Sequence, residues 1–171
     1  MILETERLRL RDMRRDDYPA LCKMLKDDDV MYAWEGALSE EEVQDWMDRN
    51  FERYAKYGYG CWAVELKNSP AGEMIGQCGI TMLKYNGTEV PEISYIFQKA
   101  YWHRGYATEA AIACKNYAFD KLNIHEIFSD VRDNNIPSMN VLIRTGMTIK
   151  DRIIKHYRGI DMPHFVFSAK K

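Results

Sequence analysis

The stretch best equipped for chemistry runs from Glu92 to Ala110 (EISYIFQKAYWHRGYATEA). Residues of strand type give way there to a basic loop, His103-Arg104-Gly105, and then to an alanine-rich helix opening at Tyr106. The first turn of a helix leaves backbone N–H groups without partners and carries a partial positive charge, so such a junction can hold an anion. His103 and Arg104 add donors, and Gly105 lets a ligand come close to the backbone. The same residues also suit an ordinary strand-to-helix turn in which the glycine relieves strain. Neither G-x-G-x-x-G nor G-x-x-x-x-G-K-[ST] occurs, which argues against dinucleotide and P-loop sites.

Elements on both sides must position that loop. A strand is expected at Arg7–Arg11, and a helix from about Asp16 to Lys26 with Tyr18, Leu21, Cys22 and Leu25 on one stripe. Asp27 to Leu38 reads as irregular. Ser39 followed by Glu42 is a capping-box pattern, so a second helix should run to about Lys56. Gly60–Leu66, Met74–Leu83 and Glu89–Phe97 read as strands, divided by Asn68-Ser69-Pro70 and by Asn86-Gly87, the latter a strong hairpin signal. In the helix from Tyr106 to about Lys121, Ala107, Ala111, Cys114 and Ala118 share a face whose small side chains imply close packing on a sheet. A strand (Glu126–Arg132), a helix (Ile136–Thr145) and two terminal strands (Met147–Tyr157, Met162–Ser168) complete the pattern. The order points to an α/β (α+β) domain over residues 1–171, a mixed and mostly antiparallel sheet of about six to seven strands flanked by about four helices.

Composition removes several classes. The 171 residues suit one domain, and 24 Lys+Arg against 26 Asp+Glu leave a net charge of −2, unlike a general nucleic-acid binder. No stretch of about 18 apolar residues is present, and the start lacks the apolar core of a signal peptide, so a cytoplasmic protein without a membrane partner is expected. Cys22, Cys61, Cys78 and Cys114 are too scattered for a disulfide framework or zinc knuckle and read as small buried hydrophobes. The histidines form no ligand pair, and no metal is expected. Monomer and homodimer both remain open.

The segment Trp102–Ala110 (WHRGYATEA) resembles the acetyl-CoA pyrophosphate loop of the GNAT N-acetyltransferases, in particular their RimJ/RimL-like branch. Leu3–Arg11 (LETERLRLR) is similar to that branch's first strand, and Asn134–Met147 (NNIPSMNVLIRTGM) to its N-x-x-S…G-F motif. The resemblance implies the GNAT fold, acetyl-CoA as cofactor and acetyl transfer to a primary amine: a protein N-terminus, an amino acid, a polyamine or an amine-bearing drug. Three departures stand out. Trp102 occupies the place of Gln or Arg, Leu142 the place of a tyrosine that serves other members as thiolate acid, and Met147 that of a phenylalanine. A non-catalytic acyl-CoA-binding module is the alternative those departures leave.

Carried over residue by residue, the resemblance implies cofactor contacts from Tyr95, Ile96, Phe97, His103, Arg104, Gly105, Tyr106, Ala107, Thr108, Asn135 and Ser138. It implies Glu92 as base, a backbone N–H near Tyr95 or Ile96 for the oxygen that gathers charge, and Ser138 as acid for the leaving thiolate. Each role has a plainer counterpart: Glu92 a solvent-facing strand start after Pro91, Ser138 a helix N-cap, Asn135 a turn residue. Glu109 reads as structural. The acceptor pocket is expected from Tyr32, Trp34 and Glu35, together with His156, Tyr157 and Arg158 of the last hairpin, an aromatic floor with one carboxylate that would suit a cation or simply be packed core. Freeing an α-amine of pKa ~7.7–8.0 near neutrality costs about 1 kcal/mol, and freeing a lysine of pKa ~10.4 about 4–5 kcal/mol, so one glutamate suits the former better.

Overall fold

A computed structural model describes residues 1–69 and 72–171. The expected division at Asn68-Ser69-Pro70 falls partly outside them, since Pro70 is not described. Strands β1 (Leu3–Glu4) and β2 (Leu8–Arg11) lead into α1 (Tyr18–Leu25), α2 (Asp28–Met31) and α3 (Glu40–Tyr57). Then follow β3 (Cys61–Leu66), β4 (Met74–Tyr85), β5 (Thr88–Phe97), α4 (Tyr106–Asp120), β6 (Glu126–Arg132), α5 (Ile136–Arg144), β7 (Thr148–Tyr157) and β8 (Ile160–Lys170).

One sheet of eight strands runs β1-β2-β3-β4-β5-β6-β8-β7 and is antiparallel except at β5–β6. The seven expected strands are all present, and β1 is the eighth. It is two residues long and held because Ile2 donates its N–H to Leu10 O. The fifth helix, α2, lies in the stretch expected to be irregular. Its four residues are too few to show a helical period, and the Asp27 side chain caps it by accepting the Asp29 N–H. The capping box of α3 forms as expected, Ser39 Oγ accepting from Glu42 N–H and a Glu42 carboxylate oxygen from Ser39 N–H.

Each face of the sheet has its own core. On one, Leu8, Trp62, Ile80 and Ile93 pack against the small-residue face of α4 (Ala110, Ala111, Cys114, Ala118) and Leu142 of α5. On the other, Ala63, Met74 and Ile96 pack against α1, α2 and α3 through Leu21, Met24, Met31, Val43 and Met47. Cys61, Cys78 and Cys114 are buried and Cys22 half-buried, all as free thiols. No described helix is long and apolar enough to cross a membrane.

Candidate active site

The two edges of β5 differ. Along β4 it is paired from Thr88 to Phe97 without a break, whereas along β6 a single register pair, Glu92↔Phe128, is made before the strands part. Gln98 donates its N–H to Ile75 O in β4, and Ile93 O accepts from Ser129 Oγ beside β6. Strand alternation therefore turns the backbone of Ile96 towards β4 and that of Tyr95 and Phe97 into the gap. Of the two N–H groups expected near Tyr95 or Ile96, the one that reaches the gap is that of Tyr95.

Loop and helix close the far end of the gap. His103 (φ +60°) and Gly105 (φ +79°) both lie in the left-handed region, and Gly105 stands at the N-cap of α4 with no side-chain cap below it. The first N–H groups of α4, from Tyr106 to Thr108, are thus left to the cavity. Trp102 takes a structural part at its unusual position, donating its indole N–H to Phe97 O at 2.9 Å and so tying the loop to the end of β5. Glu109 is structural as expected. Its carboxylate accepts from Arg7 N–H (2.9 Å), Arg7 Nε (2.7 Å) and Thr5 Oγ1 (2.5 Å), binding α4 to the β1–β2 turn. Burial pushes its pKa up, but those hydrogen bonds and the Arg7 charge outweigh burial and hold it low.

Two cavities meet here. A cavity of about 500 Å³ is lined by Tyr95, Ile96, Phe97, His103, Gly105, Tyr106, Ala107, Thr108, Asn135 and Ser138, all from the expected cofactor set. Arg104 is not among its lining residues. Its carbonyl accepts from Arg7 at 3.0 Å and its guanidinium lies over the Tyr101 ring, so the left-handed turn directs that side chain elsewhere. Tyr101, Trp102 and Arg144 line the same cavity without having been expected there, because only the folding of α5 brings Arg144 beside the loop. A cavity of about 490 Å³ adjoins it, lined by Trp34, Glu92, His156 and Tyr157 of the expected acceptor set. Trp34, Tyr95, Asn135 and Ser138 line both.

Three acceptor residues expected from sequence are placed differently. Tyr32 lines the cofactor-side cavity and donates its hydroxyl to Asn135 Oδ1 at 2.9 Å. Glu35, in the left-handed region at φ +62°, is ion-paired with Arg132 and lines neither cavity, so the floor has no free carboxylate from this segment. Arg158 reaches back to Glu42 at 2.7 Å, fastening the last hairpin to α3.

The plainer roles are resolved one by one. Glu92 is no strand start: it pairs with Thr81 within the β4–β5 ladder, accepts from Thr81 Oγ1 at 3.0 Å and from Asp130 N–H at 3.3 Å, and lines the cavity. Burial raises its pKa to about 7. The charge of Asp130 pushes the same way, while Lys155, ion-paired with Asp130, and the hydrogen bonds from Asp130 N–H and Thr81 pull in the other direction without overcoming burial. The N-cap of α5 is Asn135, whose Oδ1 accepts Ser138 N–H at 3.2 Å, so Ser138 has no capping duty. The Tyr95 hydroxyl donates to Ser138 O at 2.8 Å and lies 2.9 Å from Ser138 Oγ. That contact had no signal in the sequence, because it joins β5 to α5 across 43 residues. Leu142, at the place of the absent tyrosine, is fully buried core, as is Met147.

Residues 7–148 match the acetyltransferase (GNAT) domain family. The chain belongs to the GNAT acetyltransferases. The uncharacterized N-acetyltransferase YnaD of Bacillus subtilis is 32% identical over 148 residues, covering 86% of this chain and 82% of that protein. The crystal structure of a GNAT-family acetyltransferase from Bacillus anthracis superimposes with a TM-score of 0.83 at 25% identity, covering 99% and 98% of the two chains. The ribosomal L7/L12 α-N-protein acetyltransferase RimL, solved with coenzyme A, shares the fold at a TM-score of 0.77 and 17% identity, covering 99% and 97%. The chain is thus an acetyltransferase that uses acetyl-CoA, with RimL-type enzymes among its structural neighbours. The cofactor-side cavity fits that cofactor, combining an uncapped helix N-terminus, a glycine turn and unpaired backbone in the strand gap.

Proposed function

We propose that this GNAT enzyme is an N-acetyltransferase in which a primary amine attacks the thioester directly, with no acyl-enzyme stage. Acetyl-CoA, when bound, supplies an activated acetyl group and a thiolate leaving group. The α4 N-terminus with His103–Thr108 would hold the pyrophosphate, and Tyr95 to Phe97 with Asn135 would line the pantetheine arm. The Tyr95 N–H would donate to the carbonyl oxygen as charge gathers on it.

Glu92 is the base in this reading. Its carboxylate oxygens, set by Thr81 and Asp130, accept the amine's proton directly or through a water. A pKa of about 7 leaves the group divided between its two forms near neutrality, where a general base is most effective. Ser138 Oγ would give a proton to the leaving thiolate, with Tyr95 beside it holding the hydroxyl in place.

The observation that carries the reading is the position of Glu92 at the single β5–β6 register pair, lining the cavity next to the one that holds the loop. The test is thiol release from acetyl-CoA with a panel of N-terminal peptides, free amino acids, polyamines and aminoglycosides. Turnover above hydrolysis with one amine class is expected. Micromolar acetyl-CoA binding with silence across the whole panel would contradict it.

A further inference from the structure

The acceptor-side cavity holds an unbalanced set of charges. Arg132 is ion-paired with Glu35 and Lys155 with Asp130, and His156 Nδ1 is hydrogen-bonded to Asp161. Arg49 and Arg53, which also line the cavity, have no ion pair or hydrogen bond among the described residues. They stand one turn apart on α3, and like charges at that spacing weaken a helix by a few tenths of a kcal/mol.

Their placement is not a by-product of a basic helix. Six of the 18 residues of α3 are acidic, yet none of the six lines the cavity. Glu40 pairs with Lys26, Glu42 with Arg158 and Asp48 with Arg15, all on other parts of the helix surface. The stripe turned to the cavity is Trp46, Arg49 and Arg53, and the Trp46 indole donates to Gln77 Oε1 at 3.4 Å. Arg53 is half-buried and its charge is felt at the buried Cys61, whereas Arg49 is exposed at the rim.

Glu92 lines the same cavity and is the one carboxylate there without a basic ion-pair partner among the described residues. From this geometry we infer that the acceptor is an amine that also bears a carboxylate, its anionic end held by Arg49 and Arg53 and its amino group turned to Glu92. This inference rests on the assignment of that cavity to the acceptor. It excludes the polyamine class that an aromatic floor with a free Glu35 would have favoured. The acidic runs at Asp27–Asp29 and Glu40–Glu42 give that class no support either, since neither run lines the cavity. Guanidinium groups suit a carboxylate in particular, offering paired planar donors.

The test uses amines paired by their anion and compared at equal concentrations of unprotonated amine: glycine, 4-aminobutyrate, 5-aminovalerate and a Ser-Glu-Glu peptide, each against its uncharged carboxamide counterpart. Binding is followed by quenching of tryptophan fluorescence, since Trp34 and Trp46 line the cavity. Turnover is followed by thiol release. At least one acid is expected to exceed its amide about tenfold in affinity and in kcat/KM, and the preferred spacing separates a free amino acid from an acidic peptide. In Arg49→Gln/Arg53→Gln the preference should vanish through KM, with KM for acetyl-CoA unchanged and the melting temperature no lower, while Arg49→Lys/Arg53→Lys should keep part of it. Equal binding of acids and amides, or a preference that survives in the Gln variant, overturns the inference. A carboxylate preference in binding without turnover of any amine would uphold the anion site and sink the assignment of amine acetylation.

Discussion

The two cavities that meet at Tyr95 and Ser138 are built on different principles. The cofactor side uses backbone, with an uncapped helix N-terminus, two left-handed residues and the unpaired edge of β5, and its side chains are largely aromatic or small. The cavity proposed for the acceptor uses side chains, with arginines, a lysine and acids drawn from α3, β5, β6 and β7. Backbone donors serve any sequence that makes the turn, so the first cavity can hold a constant ligand. Charged side chains change with single substitutions, so the second can be specific to one acceptor. Under the proposed assignment of the two cavities, that contrast separates generality from specificity.

That division can be attacked from either side. The largest effect is expected from Glu92→Gln, which should lower kcat by about 10²–10⁴-fold in a thiol-release assay, the range for a lost general base, while calorimetry shows acetyl-CoA affinity unchanged. A loss of cofactor binding would mean that the two cavities do not work separately. Ser138→Ala should cost about 10²-fold in kcat if its hydroxyl serves the thiolate. A fall in thermal stability without a kinetic effect would reduce Ser138 to packing. Gly105→Ala acts on the backbone side alone. It places a Cβ at φ +79°, which costs about 1–2 kcal/mol, and should weaken acetyl-CoA binding by up to about tenfold with the KM for amine unaffected. Asn135→Ala removes the α5 cap and should lower stability by about 1 kcal/mol, a shift of roughly 2–4 °C in Tm, with smaller changes in rate.

Glu92 also makes a stability prediction with a definite sign. Its pKa rises from 4.5 to about 7 on folding, so between those values the folded state holds the proton more often than the unfolded chain. Stability must then fall as pH increases through that window, and Glu92→Gln should flatten the decline in urea titrations. An unchanged slope would show that folding does not raise the Glu92 pKa as described.

What could be read in the sequence follows the same division. The loop and the α4 start were legible because their chemistry is local. A glycine, two basic residues and an alanine-faced helix stand side by side in the chain, and the backbone does the rest. The Asn86-Gly87 hairpin and the Ser39–Glu42 cap were legible for the same reason. The acceptor wall was not. Arg49 and Arg53 look like solvent-facing residues of an acidic helix until the sheet is assembled, and Glu35 looks free until Arg132, 97 residues away, arrives beside it. Tyr95 and Ser138 meet only because β5 and β6 part and α5 crosses the opening. Ser138 was open between cap and acid because both belong near a helix start, and only the Asn135–Ser138 hydrogen bond separates them.

The central claim is that Glu92 takes the acceptor's proton at the border of the two cavities. The most direct test is the pH dependence of kcat/KM for wild type and Glu92→Gln, measured with an accepted amine whose own pKa lies above ~9, so that the two titrations are separate. The wild type should show a limb rising through about pH 7, and that limb should be missing from Glu92→Gln at every amine concentration. The same limb in both proteins would place the base elsewhere and contradict the account.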